Sequence, residues 1–168
     1  MPNRDEFIAA VTSFIDAPKC LAGIDSPPQW QPSRTMPEQC IKLPIEVGGV
    51  LSGPYLTVVT PSGRADFSIS LVLGVGVTRL DFETGGGHRN TTLALADGLP
   101  LVVSGRHFHR WKHNVRFIEG DGRLEGLKHA EELPVTIRSF DAALRFFCHE
   151  TNIHLPHGHL IELPRILL

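Results

Sequence analysis

Two hydrophobic periods alternate along the chain. From Asp5 to Asp16, Phe7, Ile8, Val11, Phe14 and Ile15 recur at helical spacing, which predicts an amphipathic helix. Asn3 or Asp5 caps it, Asp5 and Glu6 suit its positive end, and Pro18 stops it. At Ile41 the period becomes two. Ile41, Leu43, Ile45 and Val47 alternate with Lys42, Pro44 and Glu46, a strand with one buried face, and Pro44 marks it as an edge strand. Tyr55–Thr60, Asp66–Gly74 and Val77–Glu83 read as further strands, the last setting Val77, Arg79 and Asp81 against Leu80 and Phe82. Gly74-Val75-Gly76 reads as a bend or bulge. Asn90–Leu95 is a short strand, and Leu99–Trp111 a longer one. Pro61-Ser62-Gly63-Arg64 and Asp97-Gly98 carry turn chemistry, and Gly85-Gly86-Gly87 reads as a flexible hairpin tip. Helical spacing returns at Ser139–Ile153 through Phe140, Ala143, Leu144, Phe147 and Cys148, with Ser139 as N-cap and Asn152 as the stop.

The strands follow one another without room for crossover helices. The expected class is therefore α+β: a mainly antiparallel sheet of six or seven strands packed against a C-terminal helix, preceded by an N-terminal amphipathic helix. One domain of 168 residues accommodates this, as a helix (1–17), a Pro-rich loop or arm (18–40), the sheet (41–118), a helix (139–153) and a packed tail (154–168).

Composition narrows the function classes. Hydrophobic residues make up 42% and charged residues 20%, as in ordinary globular domains. No apolar run is long enough to cross a membrane, and no signal-peptide pattern is visible. The three cysteines, Cys20, Cys40 and Cys148, are too scattered for a disulfide framework or a zinc knuckle, so a cytoplasmic protein without a membrane partner is expected. The net charge of −2 gives no global basic field to announce a nucleic-acid binder. Nothing indicates an oligomeric state.

Nine histidines are the outlier. The densest stretch is Gly105–Asn114. If it is extended, His107 and His109 leave on one face, continued by Trp111 and His113, while Arg106, Phe108 and Arg110 take the other. Two imidazoles two residues apart on a strand can both reach one ion, with His88 as the third ligand and Asp81 and Glu83 as the nearest carboxylates. The same residues fit a metal-free reading without any cofactor. There one histidine is base and the other acid, and Arg79, Arg89, Arg106 or Arg110 steadies a phosphate. The bland alternative is one buried, hydrogen-bonded histidine beside one solvated one. Gly-x-His-x-His also opens the cupin signature, but Lys112-His113-Asn114 stand where that signature needs a carboxylate. His154, His157 and His159 read as a surface turn, and His129 and His149 as exposed. The three glycines lack the Lys-Ser/Thr of a phosphate loop. Ser104 has no nucleophile elbow, and Cys148 reads as a small buried hydrophobe.

Thr78-Arg79-Leu80-Asp81, the glycine stretch with His88 and Asn90, His107-x-His109, and Phe146-Phe147-Cys148 leading to Thr151-Asn152-Ile153 together resemble a small bacterial domain family of unknown function. The pattern is more loosely similar to TumE-type toxins of toxin–antitoxin pairs. The resemblance covers residues 77–153. It implies a bacterial or mobile-element protein with a site made of Arg79, Asp81, His88, Asn90, His107 and His109. The preferred expectation is a toxin-like ribonuclease or phosphoesterase acting on RNA or another phosphate ester, with His107 and His109 as acid and base, Arg79 or Arg106 on the phosphate and His88 assisting. A second is a non-catalytic module that binds a cognate protein (an antitoxin or an anti-defence inhibitor), anchored by Phe108, Trp111 and the Trp30 loop, with Arg110 alongside. A third is a metal-dependent hydrolase using His88, His107 and His109.

Overall fold

The computed structural model describes residues 3–33, 37–61 and 65–164. Residues 62–64 of the expected turn and the last four residues of the expected packed tail lie outside them. Helix α1 (Arg4–Asp16) starts at a capping box: the Asn3 side chain accepts from the Glu6 backbone, and the Glu6 carboxylate accepts from the Asn3 backbone. Its C-terminal carbonyls are closed by a buried lysine, Lys19, whose Nζ donates to Phe14, Ile15 and Ala17 at 2.7–2.8 Å.

The strands are β1 (Lys19–Leu21), β2 (Gln31–Pro32), β3 (Glu38–Val47), β4 (Val50–Pro61), β5 (Phe67–Leu73), β6 (Val75–Arg89), β7 (Val102–His109), β8 (Glu131–Glu132) and β9 (Ile153–His154). They form one sheet in the order β8-β7-β6-β5-β4-β3-β1-β9, with β2 also on β3. Every pair is antiparallel except β1–β9, which is parallel. The α+β class is as expected. The strand number is not, because β1, β2, β8 and β9 are only two or three residues long and too short to show a period. Two of them, β1 and β2, fall inside the stretch read as a loop.

Three local expectations are corrected. Pro44 is not on an edge, since β3 lies between β4 and β1. The ladder slips between Pro44 and Glu46, and the Pro44 carbonyl still accepts from Ala22. Thr92–Asp97 is a 3-10 turn rather than a strand, closed by Gly98 at φ 70°. The histidine strand ends at His109, and Trp111–Asn114 forms a single helical turn, α2.

Helix α3 (Phe140–Glu150) begins at Ser139, whose side chain accepts from Ala142, and ends before Asn152 at φ 52°. Its buried Ala143, Leu144, Phe147 and Cys148 pack on the sheet face that carries Ile69, Leu80 and Phe108. The Phe108 ring meets Phe146 and Phe147 edge-on at 5.5 and 5.8 Å, and Phe67 stacks on Phe82 at 4.8 Å. None of the described helices is long and apolar enough to cross a membrane.

Candidate metal centre

Period-2 alternation decides which side chains meet. Because Leu80 and Phe108, directly opposed across β6 and β7, face the core, their neighbours face away from it. Arg79 lies opposite His109 and Asp81 opposite His107, so four polar side chains share a patch on the far side of the sheet.

His88 would not join them in a regular strand, since an even-numbered position on β6 faces the core. The ladder repairs this. Between the pairs Phe82–Arg106 and Gly87–Ser104, β6 advances five residues and β7 two. The odd number of extra residues flips the facing, so His88 pairs with Val103 on the same side as His107. Gly85 and Gly86 thus lie in a bulge that ends at Gly87, rather than at a hairpin tip. Gly105 makes room for it: a Cβ there would stand 2.4 Å from the Glu83 carbonyl oxygen and 3.0 Å from that of Gly86.

A ring nitrogen of each of His88, His107 and His109 lies within 4.8 Å of the other two. Backbone carbonyls hold all three rings. His107 Nδ1 donates to Ser104 at 2.9 Å, His109 Nδ1 to His129 at 3.1 Å, and His88 Nε2 to Lys128 at 2.9 Å. A carbonyl can only accept, so each of these nitrogens carries a proton and, in the neutral ring, the other is a bare lone pair. Such carbonyl–histidine pairs are what orient imidazole ligands toward metals.

Asp81 completes the patch. Its Oδ2 stands 3.2 Å from His107 Nε2, 3.4 Å from His109 Nε2 and 2.7 Å from Arg79 Nε. Ligands placed about 2.0–2.1 Å from a tetrahedral ion are separated by about 3.3–3.4 Å, close to the spacing of Oδ2 from the two Nε2 atoms. A carboxylate thus stands beside His-x-His, on the adjacent strand. Burial is nearly complete, at 4% exposure for Asp81, 3% for His107 and 0% for His109. Burial alone would raise the Asp81 pKa. Hydrogen bonds that His107 and His109 donate when protonated, together with the charge of Arg79, outweigh it and hold the carboxyl well below its ordinary range. Burial also pushes His109 below the ordinary imidazole value, against the pull of Asp81, which favours the neutral ring that a metal requires. Arg79 Nη2 lies 3.3 Å from His109 Nε2, and its side chain is 42% exposed, the solvent-facing member of the group.

Of the expected site residues, Arg79, Asp81, His88, His107 and His109 are brought together. Arg106 is not: it faces the other way and lies over the Phe82 ring at 4.3 Å. Arg110 is paired with Glu131 and Glu150, away from the histidines. Phe108 and Trp111 are core residues, Trp111 donating its Nε1 to Thr12 Oγ1 at 2.9 Å, so neither is an exposed anchor. Trp30 is half-buried against the C-terminal segment, its Nε1 donating to the Glu162 carbonyl at 3.0 Å. His129, expected to be exposed, is fully buried with Nε2 2.7 Å from Thr91 Oγ1. Asn90 is buried against the Ala130 backbone rather than open to a ligand. The Cys148 thiol is pushed up to about 12 by burial, as suits a core residue. The carbonyls of Ser104, Lys128 and His129 were beyond sequence reasoning, because any residue type supplies a carbonyl.

Compared with protein-family models, with curated proteins and with solved structures, the chain matches none.

Proposed function

We propose that this chain is a metal-dependent hydrolase whose ion is held by His88, His107 and His109 and whose substrate carries an oxyanion, a phosphate ester being the best fit. The observation that carries the reading is the trio of imidazoles, each fixed by a backbone carbonyl and each with a ring nitrogen within 4.8 Å of one on the other two. Nitrogen-rich sites of this kind suit zinc, iron, copper or nickel rather than magnesium or calcium. A divalent ion in such a place supplies Lewis acidity and a water of lowered pKa.

The chain's own groups divide the remaining work. Asp81 would be the fourth donor, its Oδ2 at the edge of the set beside His107 and His109. Arg79 keeps its Nε on Asp81. With His109 Nε2 given to an ion, Arg79 Nη2 would be released from that acceptor for a substrate oxygen. A dication and a guanidinium beside one carboxylate leave the site net positive, which is why an anionic substrate is favoured. The acid–base ribonuclease reading uses the same histidines. It requires His107 and His109 to touch a bulky substrate, and at 3% and 0% exposure they are poorly placed to do so, so we rank it second.

The test is a metal titration of chelator-treated protein with Zn(II), Co(II), Ni(II) and Mn(II), followed by thermal unfolding and by assays on chromogenic phosphate mono- and diesters. Stoichiometric binding with a raised Tm, and hydrolysis abolished by His109→Ala and by Arg79→Met, are expected. A wild-type protein that carries no transition metal after purification, and whose Tm none of these ions moves, overturns the reading.

A further inference from the structure

The stretch 125–130 has no regular secondary structure, yet two of its successive carbonyls aim the site: Lys128 holds His88 and His129 holds His109. Its placement depends on two asparagines. Asn114 Oδ1 accepts from the His129 N–H at 2.9 Å while its Nδ2 donates to the His129 carbonyl at 2.8 Å. Asn90 repeats the arrangement one residue on, accepting from the Ala130 N–H at 2.7 Å and donating to the Ala130 carbonyl at 2.8 Å. Each amide behaves as a strand neighbour, satisfying both backbone groups of one residue. The second Nδ2 hydrogens are also used, by Arg110 O at 2.8 Å for Asn114 and Pro100 O at 2.6 Å for Asn90. Asn90 is 4% exposed and Asn114 0%, so water does not compete for these bonds.

We infer that Asn90 and Asn114 are positioning residues of the metal centre, which act through the strap Lys128–Ala130 to fix the facing and the tautomer of His88 and His109. The inference rests on the metal reading above for its effect on affinity. Its geometric half stands apart from that reading. The two asparagines do not make the ligand set themselves. They hold the backbone that does. The His129 carbonyl accepts both Asn114 Nδ2 and His109 Nδ1, so its two lone pairs are divided between clamp and ligand. The strap also explains an asymmetry. His109 is protonated at Nδ1, whereas His88 is protonated at Nε2, because the Lys128 and His129 carbonyls approach the two rings from different sides. Loss of a group that orients a metal-bound imidazole costs about 10–100-fold in metal affinity.

The experiment compares wild type with Asn114→Asp and Asn90→Asp, each of which keeps the acceptor and the shape but loses the donors to the strap. Core variant Cys148→Ala serves as a control for lost stability alone. Co(II) affinity is measured by chelator competition, the visible spectrum of bound Co(II) is recorded, and ring protonation is read from nitrogen-15 correlations of the histidines in the ion-free protein. Both asparagine variants are expected to bind Co(II) about 10–100-fold more weakly with an altered spectrum. The control keeps wild-type affinity and spectrum even if it unfolds earlier. In ion-free wild type, His109 is expected as the Nδ1–H form and His88 as the Nε2–H form. Wild type that binds Co(II), with asparagine variants of equal affinity and unchanged spectrum, overturns the strap assignment and leaves the metal reading standing. Wild type that binds no ion overturns the metal reading and the affinity half of the inference, while the ring protonation pattern still judges the geometric half. Should neither variant fold, the wild-type pattern alone decides: His88 protonated at Nδ1 overturns the assignment.

Discussion

Asp81 and His107 stand directly opposite each other in the β6–β7 register, with Oδ2 of one 3.2 Å from Nε2 of the other. His107 Nδ1 already donates to Ser104, so a neutral ring would turn a lone pair toward a carboxylate. A metal ion between the two would relieve that repulsion. Asp81→Asn keeps the shape and removes the charge. Metal affinity is then expected to fall at least tenfold, read by competition with a chromophoric chelator. Equal affinity in the variant would remove Asp81 from the ligand set and leave it as a partner of Arg79 alone.

The bulge on β6 places His88, and Gly105 permits the bulge. Gly105→Ala drives a methyl into the Glu83 carbonyl oxygen, 2.4 Å from the new Cβ, with backbone on both sides of the contact. Overpacking of this kind costs about 1–3 kcal/mol. Relief requires β6 to move, which carries His88 away from His107 and His109. We expect a lowered urea midpoint together with loss of the metal-induced rise in Tm. A variant that is destabilised but still responds fully to metal would show that His88 is not needed by the ion.

These two relationships mark how far the sequence could be read. Strand alternation correctly set His107 and His109 on one face and Arg106 and Phe108 on the other, because a period of two is a local property of the backbone; it failed past His109, where the chain turns helical and Trp111 joins the core instead of continuing the histidine face. Alternation also put Arg79 and Asp81 together. The bulge was misread because glycine is compatible with tips, turns and bulges alike; only the pairing with β7 distinguishes them. His129 was misplaced because burial of a loop side chain depends on what covers it, here Thr91 and the Phe117 ring. The strap escaped entirely, since its contribution is two carbonyls. Asn114 lies within the histidine stretch and Asn90 two residues after His88, yet an asparagine that clamps a backbone looks in sequence like one that starts a turn.

Acid should unfold the ion-free protein in two stages. Burial lowers the His109 pKa below its ordinary 6.5, and burial also lowers His113 and His129. As pH falls below about 6.5, the unfolded chain takes up protons that the folded chain refuses, so stability decreases. Asp81 is held below its ordinary 3.8, chiefly by hydrogen bonds from His107 and His109 working against burial. Its stabilising contribution is present above that value and is lost as pH drops through it and below. Urea midpoints measured from pH 7.5 to 3 are expected to decline through the histidine range and again in the carboxylate range. A midpoint unchanged between pH 7 and pH 5 contradicts the first stage. His109→Gln should flatten that stage in part.

Phe108 separates a core role from a docking role. It sits between the sheet and α3 with its ring against Phe146 and Phe147, and it is 2% exposed. Phe108→Ala is expected to cost about 3–5 kcal/mol, the range for emptying a buried aromatic site whose surroundings relax only in part. Trp111→Phe should cost less. It keeps most of the ring that meets Phe7 edge-on at 6.3 Å and loses the Nε1 bond to Thr12, worth about 0.5–1.5 kcal/mol. Both are read as shifts in urea unfolding at constant slope. The variants leave the far side of the sheet untouched, so Co(II) bound to the folded fraction should keep its wild-type spectrum. If Phe108→Ala were instead as stable as wild type, its ring would have to spend its time outside the core, and Arg106 and Arg110 on the same face would again become candidates for a binding surface.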